Sequence, residues 1–176
     1  QSITCRTAGF NSVDISLLSV PTLILMIFLM FIGASSGSTG GGIKTSTFTL
    51  IMVSAIATLR GKRNLELFRH NIAWELLNKA FSIFIFSASF VFTATFFLSI
   101  LEPETDILRL LFEEVSAFGT VGLSTGITAD MTTGSKLILI FTMFVGRIGT
   151  LTIGFALSKK VMTVAYRYPN AHFMVG

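Results

Sequence analysis

The apolar positions of this 176-residue chain fall into three long blocks, separated by segments rich in polar residues and glycine. Residues 16–33 and residues 80–101 carry no charged side chain, and residues 137–158 carry only Arg147. A membrane-spanning helix needs about 20 predominantly apolar residues, so the second and third blocks are long enough to cross a bilayer. The first block is long enough only if helix continues beyond the glycines at positions 40–42.

The ends of these blocks predict an order of helices and loops. Gly61, in the basic sequence Arg60-Gly61-Lys62-Arg63, indicates a helix end, and Pro103 suits a helix start because its missing N–H costs nothing there. Helices are predicted at residues 16–33 and 45–60, from Leu65 or Asn71 to residue 101, at 104–118 and at 136–158. The expected connections are an extended segment and loop at 1–13, an interruption at 34–45, an extended return at 120–124 and a polar loop at 125–135. The helix at 104–118 is too short to span and is predicted to be re-entrant.

Two glycine-centred loops share one offset in the sequence. Thr7-Ala8-Gly9-Phe10-Asn11 resembles Thr120-Val121-Gly122-Leu123-Ser124, and the two central glycines lie 113 positions apart. The same offset pairs Ile27-Phe28 with Ile140-Phe141, Met30-Phe31 with Met143-Phe144, Gly33 with Gly146, Thr39 with Thr152, and Gly41 with Gly154. Apolar composition alone does not readily produce identities at a single offset. We therefore expect one complete repeat preceded by the second half of another.

Composition and charge place the chain with membrane proteins. Charged residues make up 12% of it, against about 25% in soluble domains. The net charge of +4 comes from basic residues at the segment ends: Arg60, Lys62, Arg63 and Arg69, then Lys159, Lys160 and Arg167. Because basic residues favour the cytoplasmic side, we expect these ends and the C-terminus in the cytoplasm, and no nucleic-acid partner. Asp/Glu and Ser/His pairs show no arrangement that suggests catalysis, so the chain is not predicted to be an enzyme.

The segment Ser116-Ala117-Phe118-Gly119-Thr120-Val121-Gly122-Leu123-Ser124 has the features of a cation site. Extended backbone at membrane depth is tolerated only where it is buried in protein or lines a water-filled path. Glycine at positions 119 and 122 allows carbonyls to turn toward one axis, and the preceding helix directs its partly negative end there. An ordinary extracellular turn is the alternative, but the copy at residues 7–10 favours an ion-selectivity filter.

These residues resemble the filter loops of the Trk/Ktr/HKT superfamily of potassium transporters. Residues 116–124 resemble the fourth filter loop, and Arg6-Thr7-Ala8-Gly9-Phe10-Asn11 resembles the third. The family has four helix–pore loop–helix repeats in one chain. The resemblance covers nearly the whole chain and implies an all-α integral membrane protein with a potassium-channel-like pore, of which about one and a half repeats are present. Because Gln1 falls inside a filter loop, we expect the C-terminal part of a larger protein.

The resemblance divides the chain into four segments. Residues 1–60 would hold the third filter loop and a broken second helix with a gating loop at 34–45. Residues 61–79 would be a cytoplasmic linker and the start of the next helix, residues 80–158 the fourth repeat, and residues 159–176 a cytoplasmic tail.

The resemblance also implies potassium uptake through a carbonyl-lined filter. The filter residues would be Thr7, Ala8, Gly9, Phe10, Thr120, Val121, Gly122 and Leu123. Potassium would bind the carbonyls of Thr7, Ala8, Gly9, Thr120, Val121 and Gly122. Gly9 and Gly122 match the glycine associated with potassium selectivity, Glu113 matches a pore-helix glutamate common in the family, and Glu114 is less typical.

The short tail resembles that of the Ktr membrane subunit. This implies a multi-pass cell-membrane protein that lies in a lipid bilayer, forms a homodimer and binds a cytosolic nucleotide-binding regulatory subunit. No covalent cofactor is expected. Potassium is the expected substrate, and sodium is a candidate coupling ion.

A glycine-rich loop at residues 34–45 interrupts the first apolar block. A nucleotide-binding P-loop requires glycine directly before lysine, and Ile43 occupies that position. Consecutive glycines break a helix, since each costs about 1 kcal/mol relative to alanine. The resemblance implies that this loop gates the pore through Gly37, Gly40, Gly41, Gly42 and Lys44. A simple helix kink or close helix packing is the structural alternative.

Arg147 and Lys44 are the charged residues nearest this predicted gate. A charge at the bilayer centre costs at least about 2.5–3.5 kcal/mol, so Arg147 should face a cavity or a partner. The resemblance implies that Arg147 forms a positive barrier beside the loop; an ion pair or a carbonyl cap is the alternative, and both can hold together. For Lys44, contact with the gate and extension to the cytoplasmic interface both stay open, with the second preferred.

A second function is consistent with a broken helix. In secondary transporters, helix breaks bind a small substrate at the membrane midplane, and residues 37–42 would form such a site. That alternative predicts a single midplane site and leaves the loop at 120–124 unexplained.

Overall fold

The structure is a computed structural model that describes residues 1–149, apart from residues 7, 36, 39, 62–65 and 68–69. Of residues 66–67 and 70–71 it describes only the backbone. Five α-helices occur in this part of the chain: α1 Val20–Phe31, α2 Thr45–Leu59, α3 Trp74–Leu101, α4 Ile107–Phe118 and α5 Thr133–Ile148. Short 3₁₀ turns lie at Thr4–Arg6, Ile15–Leu17 and Ile127–Ala129.

The helix of the first apolar block breaks, as the glycine-rich loop predicts. α1 ends at Phe31, and the next residues form strand β1, Ile32–Ala34, which pairs in parallel with strand β2, Ile43–Lys44. This pairing supplies partners for backbone groups that no longer belong to a helix. α2 then continues on the other side of the loop, so two short helices replace one long span.

α3 is the one helix in the described residues that is long and apolar enough to cross a membrane alone. It has 28 residues, whereas α1 and α2 are apolar but shorter. α3 begins at Trp74, after a two-stranded antiparallel ladder of β3, Glu66–Leu67, and β4, His70–Asn71. The start is therefore later than either predicted position, because the chain before Trp74 forms this ladder.

α4 lies at the centre of the fold and packs against α1, α3 and α5. Its second half is buried on all sides, including Phe112, Val115 and Phe118. A helix of 12 residues is about 18 Å long, too short to cross a bilayer. The predicted start at residue 104 was wrong: Pro103 lies in a turn closed by Thr105 N–H donating to the Glu102 carbonyl, and helical bonds begin at Asp106.

α5 begins at Thr133, where the Thr132 hydroxyl accepts a hydrogen bond from Ser135 N–H. It ends at Ile148, since Gly149 takes a φ of 91°, a left-handed conformation that stops a helix. Helix was predicted from residue 136 to 158. Residues 150–158 and the predicted tail at 159–176 lie outside the described residues.

Candidate functional site

The two glycine loops meet in the fold. Gly9 and Gly122 both have a positive φ, 65° and 89°, which glycine adopts readily. A side chain at position 9 would collide with the carbonyl oxygen of Val121, so the two loops are in direct backbone contact there. Thr7, the first residue predicted for the filter, lies outside the described residues.

The amides of both loops bond back to the helical turns that precede them. Ala8 N–H and Gly9 N–H both donate to the Thr4 carbonyl. Thr120 N–H donates to Ala117 and Val121 N–H to Ser116, at the end of α4. These N–H groups are therefore not available to an anion, and the backbone oxygens of the loops are the groups suited to a cation.

The carboxylate of Glu113 holds the chain that follows the second loop. Its Oε1 accepts hydrogen bonds from Ser124 Oγ at 2.8 Å, from Thr125 N at 2.7 Å and from Thr125 Oγ1 at 2.9 Å. Its Oε2 accepts one from Thr128 Oγ1 at 2.8 Å. The side chain is nearly buried, at 5% exposure. One residue of α4 thereby positions the return segment from residue 124 to 128.

Ser116 adds a contact from α4 to Leu123, in the second glycine loop. Its hydroxyl donates to the Leu123 carbonyl at 2.6 Å. Sequence reasoning gave no role to Ser116, Ser124, Thr125 or Thr128. The sequence did contain a signal for these contacts: hydroxyl residues lie on both sides of the second glycine loop, and a glutamate lies just before them in an apolar helix.

Glu114 faces a different environment from its neighbour. It is fully buried, and its Oε1 accepts a hydrogen bond from the Thr142 hydroxyl of α5 at 2.9 Å. Its Oε2 is enclosed and has no hydrogen-bond partner in the described part of the chain. Glu114 therefore links α4 to α5, away from the return segment that Glu113 holds.

The glycine-rich loop docks against the second glycine loop. Gly41 N–H donates to Thr120 Oγ1 at 2.8 Å. A Cβ atom at Gly41 would lie 2.8 Å from the Gly146 carbonyl oxygen and 2.9 Å from that of Phe118, so no side chain fits. Gly42 has a φ of 73° and lies against Gly119. Gly37, by contrast, is surrounded by open space and takes no part in this contact.

Lys44 closes the glycine-rich loop on itself. Its ammonium Nζ donates to the carbonyl oxygens of Ser38 at 2.8 Å and Gly40 at 3.1 Å. The side chain thus contacts the predicted gate, the first of the two expectations for Lys44. The loop carbonyls need donors, and β2 places the lysine within their reach.

Arg147 lies in the last turn of α5, directly after Gly146. The Gly146 carbonyl borders the Gly41 position, which brings Arg147 to the edge of the docked loop, where its side chain is exposed. Gly146, the residue directly before Arg147, thus contacts the glycine-rich loop.

Comparison with known proteins identifies the family. A family model described as TrkH, cation transport protein, matches residues 1–164. Over its whole length the chain is 44% identical to the Ktr system potassium uptake protein B of Bacillus subtilis (strain 168), and it covers 39% of that protein. It is 40% identical to the potassium/sodium uptake protein NtpJ of Enterococcus hirae and covers 40% of it. The chain thus spans about two fifths of the length of these relatives.

The fold matches a solved structure of the same kind. The chain aligns with the potassium transporter TrkH from Vibrio parahaemolyticus at a TM-score of 0.75, covering 88% of this chain and 35% of that one. At 20% identity, this likeness shows the fold. It confirms the predicted helical, membrane-protein fold class, and the relatives are ion transport proteins and not enzymes. The chain belongs to the TrkH family of cation transport proteins, within the superfamily that its two glycine loops predict.

Proposed function

We propose that this chain forms part of the pore of a potassium uptake protein, in which the two glycine loops supply filter carbonyls. The observation that carries the proposal is the backbone contact between the Gly9 and Gly122 loops, whose amides bond back to the preceding helical turns. Two such loops side by side supply oxygens from two separate chain segments to one place. The filter would use residues 7–10 and 120–123, and the rest of the ring would come from repeats outside this sequence.

The substrate assignment follows from the relatives. Two of the proteins reported above carry names that specify potassium, or potassium and sodium, uptake. Dehydrated potassium would pass the carbonyls of Thr7, Ala8, Gly9, Thr120, Val121 and Gly122, which replace its water shell. Sodium is a candidate coupling ion. The secondary-transporter alternative is not favoured, because it predicts one midplane site and leaves the contact between the two loops without a role.

The glycine-rich loop at residues 34–45 would act as the gate. Its support is the position of Gly41 and Gly42 against Thr120, Gly119 and the end of α4. A loop at this place obstructs the path of an ion that has passed the filter. Arg147, at the edge of the same loop, would add a positive barrier to cations.

The remaining proposals concern the environment of the protein. The apolar helices support a multi-pass protein in the cell membrane, and the basic residues at segment ends support a cytoplasmic C-terminus. By similarity to the Ktr system, the whole protein would form a homodimer and bind a cytosolic nucleotide-binding regulatory subunit.

The filter is tested by substituting Gly122. In the full-length protein, expressed in cells deficient in potassium uptake, Gly122→Ser should lower potassium uptake and its preference over sodium at least tenfold. A φ of 89° strains any residue with a Cβ and shifts the neighbouring carbonyls. Gly61→Ser is the matched control, because Gly61 also has a positive φ, of 65°, and open space around it, but lies after α2 and outside both loops. Equal selectivity of Gly122→Ser and wild type would contradict the filter assignment.

The gate is tested by removing residues 40–42. The loss of the docked segment should raise basal potassium flux severalfold in liposomes containing the purified protein, while preference for potassium over sodium stays unchanged. Flux equal to wild type at equal protein content would show that the loop only packs helices together.

A further inference from the structure

The glycine-rich loop and the second glycine loop are joined by a direct hydrogen bond. It runs from Gly41 N–H to the Thr120 hydroxyl and connects residues 79 positions apart in the chain. One partner belongs to the proposed gate and the other to the proposed filter. The bond therefore forms only when the loop is docked.

Thr120 has an unusual backbone for its residue type. Its φ is 53°, the one positive φ at a non-glycine residue in the described part of the chain. β-branched residues are strained in the left-handed region, where glycine or asparagine is easier to accommodate. Residues persist there only where surrounding contacts determine the conformation, and such positions cluster at functional sites.

The side chain of Thr120 fits the docked loop at two points. Its hydroxyl accepts the Gly41 N–H, and its Cγ2 methyl lies 2.9 Å from where a Cβ of residue 41 would be. The Gly146 and Phe118 carbonyls close the other sides of Gly41. The space around Gly41 thus admits only glycine at this position of the loop.

The loop is also held together internally, through the Lys44 ammonium on the Ser38 and Gly40 carbonyls. These bonds link Ser38, Gly40 and Lys44, which would therefore move together. Docking and release of Gly41 would then accompany each movement of the loop.

We propose that Thr120 is a positioning residue that couples the gate to the filter. With the loop docked, the Thr120 hydroxyl oxygen accepts a hydrogen bond from the Gly41 N–H, and the gate holds residues 120–123 in place. With the loop withdrawn, that bond is broken, and the gate no longer holds the loop of residues 120–123. This inference rests on the proposed function and adds a reciprocal linkage: the docked loop holds the conformation of residues 120–123, and that conformation in turn favours docking of the loop.

A double-mutant cycle in the full-length protein tests the coupling. The variants are Thr120→Val, the deletion of residues 40–42, and both together, compared by potassium and sodium flux in liposomes. Valine keeps the β-branch and removes the hydroxyl. Loss of one net hydrogen bond should raise basal potassium flux roughly two- to tenfold when the loop is present. The same substitution should add nothing when the loop is absent.

Two further variants distinguish the hydroxyl from general disturbance. Thr120→Ser retains the hydroxyl, so its basal flux should stay below that of Thr120→Val. Thr93→Val is the matched control, because the Thr93 hydroxyl bonds only within its own helix, to the Ser89 carbonyl, and the residue is exposed. It should leave flux unchanged.

Gly41→Ala disturbs the same contact by changing the loop residue instead of Thr120. The added methyl group would collide with Thr120 Cγ2 and two backbone oxygens, so this variant should raise flux as Thr120→Val does. It also keeps the test decisive if Thr120→Val folds poorly. Wild-type flux in Gly41→Ala would overturn the proposal.

The outcomes separate this inference from the proposed function. An equal effect of Thr120→Val with and without the loop would overturn the coupling alone, and so would altered cation preference in the loop-deleted background. A loop deletion without effect on flux would contradict the proposed gate and the coupling together.

Discussion

Adjacent glutamates in α4 perform different structural tasks. Glu113 accepts four hydrogen bonds from the return segment, whereas Glu114 accepts one from Thr142 and keeps a second oxygen enclosed without a partner. Consecutive residues of a helix point about 100° apart, so Glu113 faces residues 124–128 and Glu114 faces α5. From the sequence, only the family resemblance distinguishes Glu113 from Glu114. No sequence pattern predicts that the two carboxylates contact different parts of the fold.

We predict that substitutions of Glu113 lower potassium preference and thermal stability, and that alanine lowers them more than glutamine. Glu113→Gln retains a carbonyl oxygen for Thr125 and an amide that can donate to Thr128, so potassium preference and the thermal midpoint should fall moderately. Glu113→Ala leaves the buried Thr125 N–H without a partner, which costs about 1–3 kcal/mol, and selective uptake should be lost. Uptake assays and thermal unfolding of the purified full-length protein measure both effects.

The exposed Glu104 provides the control for this series. Glu104→Gln changes the same functional group outside the site and should behave as wild type. Wild-type selectivity in Glu113→Ala would contradict a positioning role for Glu113.

At the scale of elements, α4 and α5 approach through glycine. A side chain at Gly146 would collide with the Phe118 carbonyl, so the two helices meet backbone to backbone at the end of α4. At the 113-residue offset, a Cβ atom at Gly33 would lie 3.2 Å from the Cα of Arg6, in the turn before the first glycine loop. In both places the glycine thus lets its segment approach the residues that precede the glycine loop of the same repeat.

Alanine at Gly146 is predicted to destabilise the protein. The methyl group would force α4 and α5 apart, and overpacking of this kind costs about 1–3 kcal/mol. Gly134→Ala is the matched control in the same helix, since its methyl would lie 3.4 Å from Leu101 Cδ1, an ordinary contact. That change should be neutral or stabilising by up to about 1 kcal/mol. Equal thermal midpoints for the two variants would refute close packing at Gly146.

Element boundaries show where sequence patterns are sufficient and where they are not. The break after α1 was predictable because clustered glycines disfavour helix wherever they occur. The starts of α3 and α4 were not, since a strand ladder before Trp74 and a turn after Glu102 determine them. The partners of Lys44 were unpredictable for the same reason: they are carbonyls of a loop whose shape the pattern does not specify.

For the molecule as a whole, stability includes contacts at the ends of the helices. Glu102, at the end of α3, accepts hydrogen bonds from Thr132 N at 2.7 Å and from Ser135 Oγ at 2.8 Å, at the start of α5. Thr132 N–H is the main cause of a lowered pKa for Glu102, and the Ser135 hydroxyl adds to it. This carboxylate therefore joins the two long helices on one side of the fold.

The pH dependence of unfolding should reflect this carboxylate. Because its folded pKa lies below the ordinary value of 4.5, its contribution is complete above that pH and is lost as pH falls through the folded pKa. The thermal midpoint of the full-length protein should therefore decrease on acidification below about pH 4.5, and less steeply in Glu102→Gln. Glu104→Gln should retain the wild-type profile. Identical acid profiles for wild type and Glu102→Gln would contradict this contribution.

The sequence by itself determined the apolar blocks, the two glycine loops at one offset, the broken helix and the family. These are local properties: hydrophobic length, glycine conformation and a motif can be read without knowing what lies nearby. Only the tertiary structure decided that Gly41 bonds to Thr120, that Glu113 holds the return segment and that Lys44 closes its loop. Such bonds require donors and acceptors from distant segments to lie within about 3 Å, and only the packing of α4 against its neighbours brings them together.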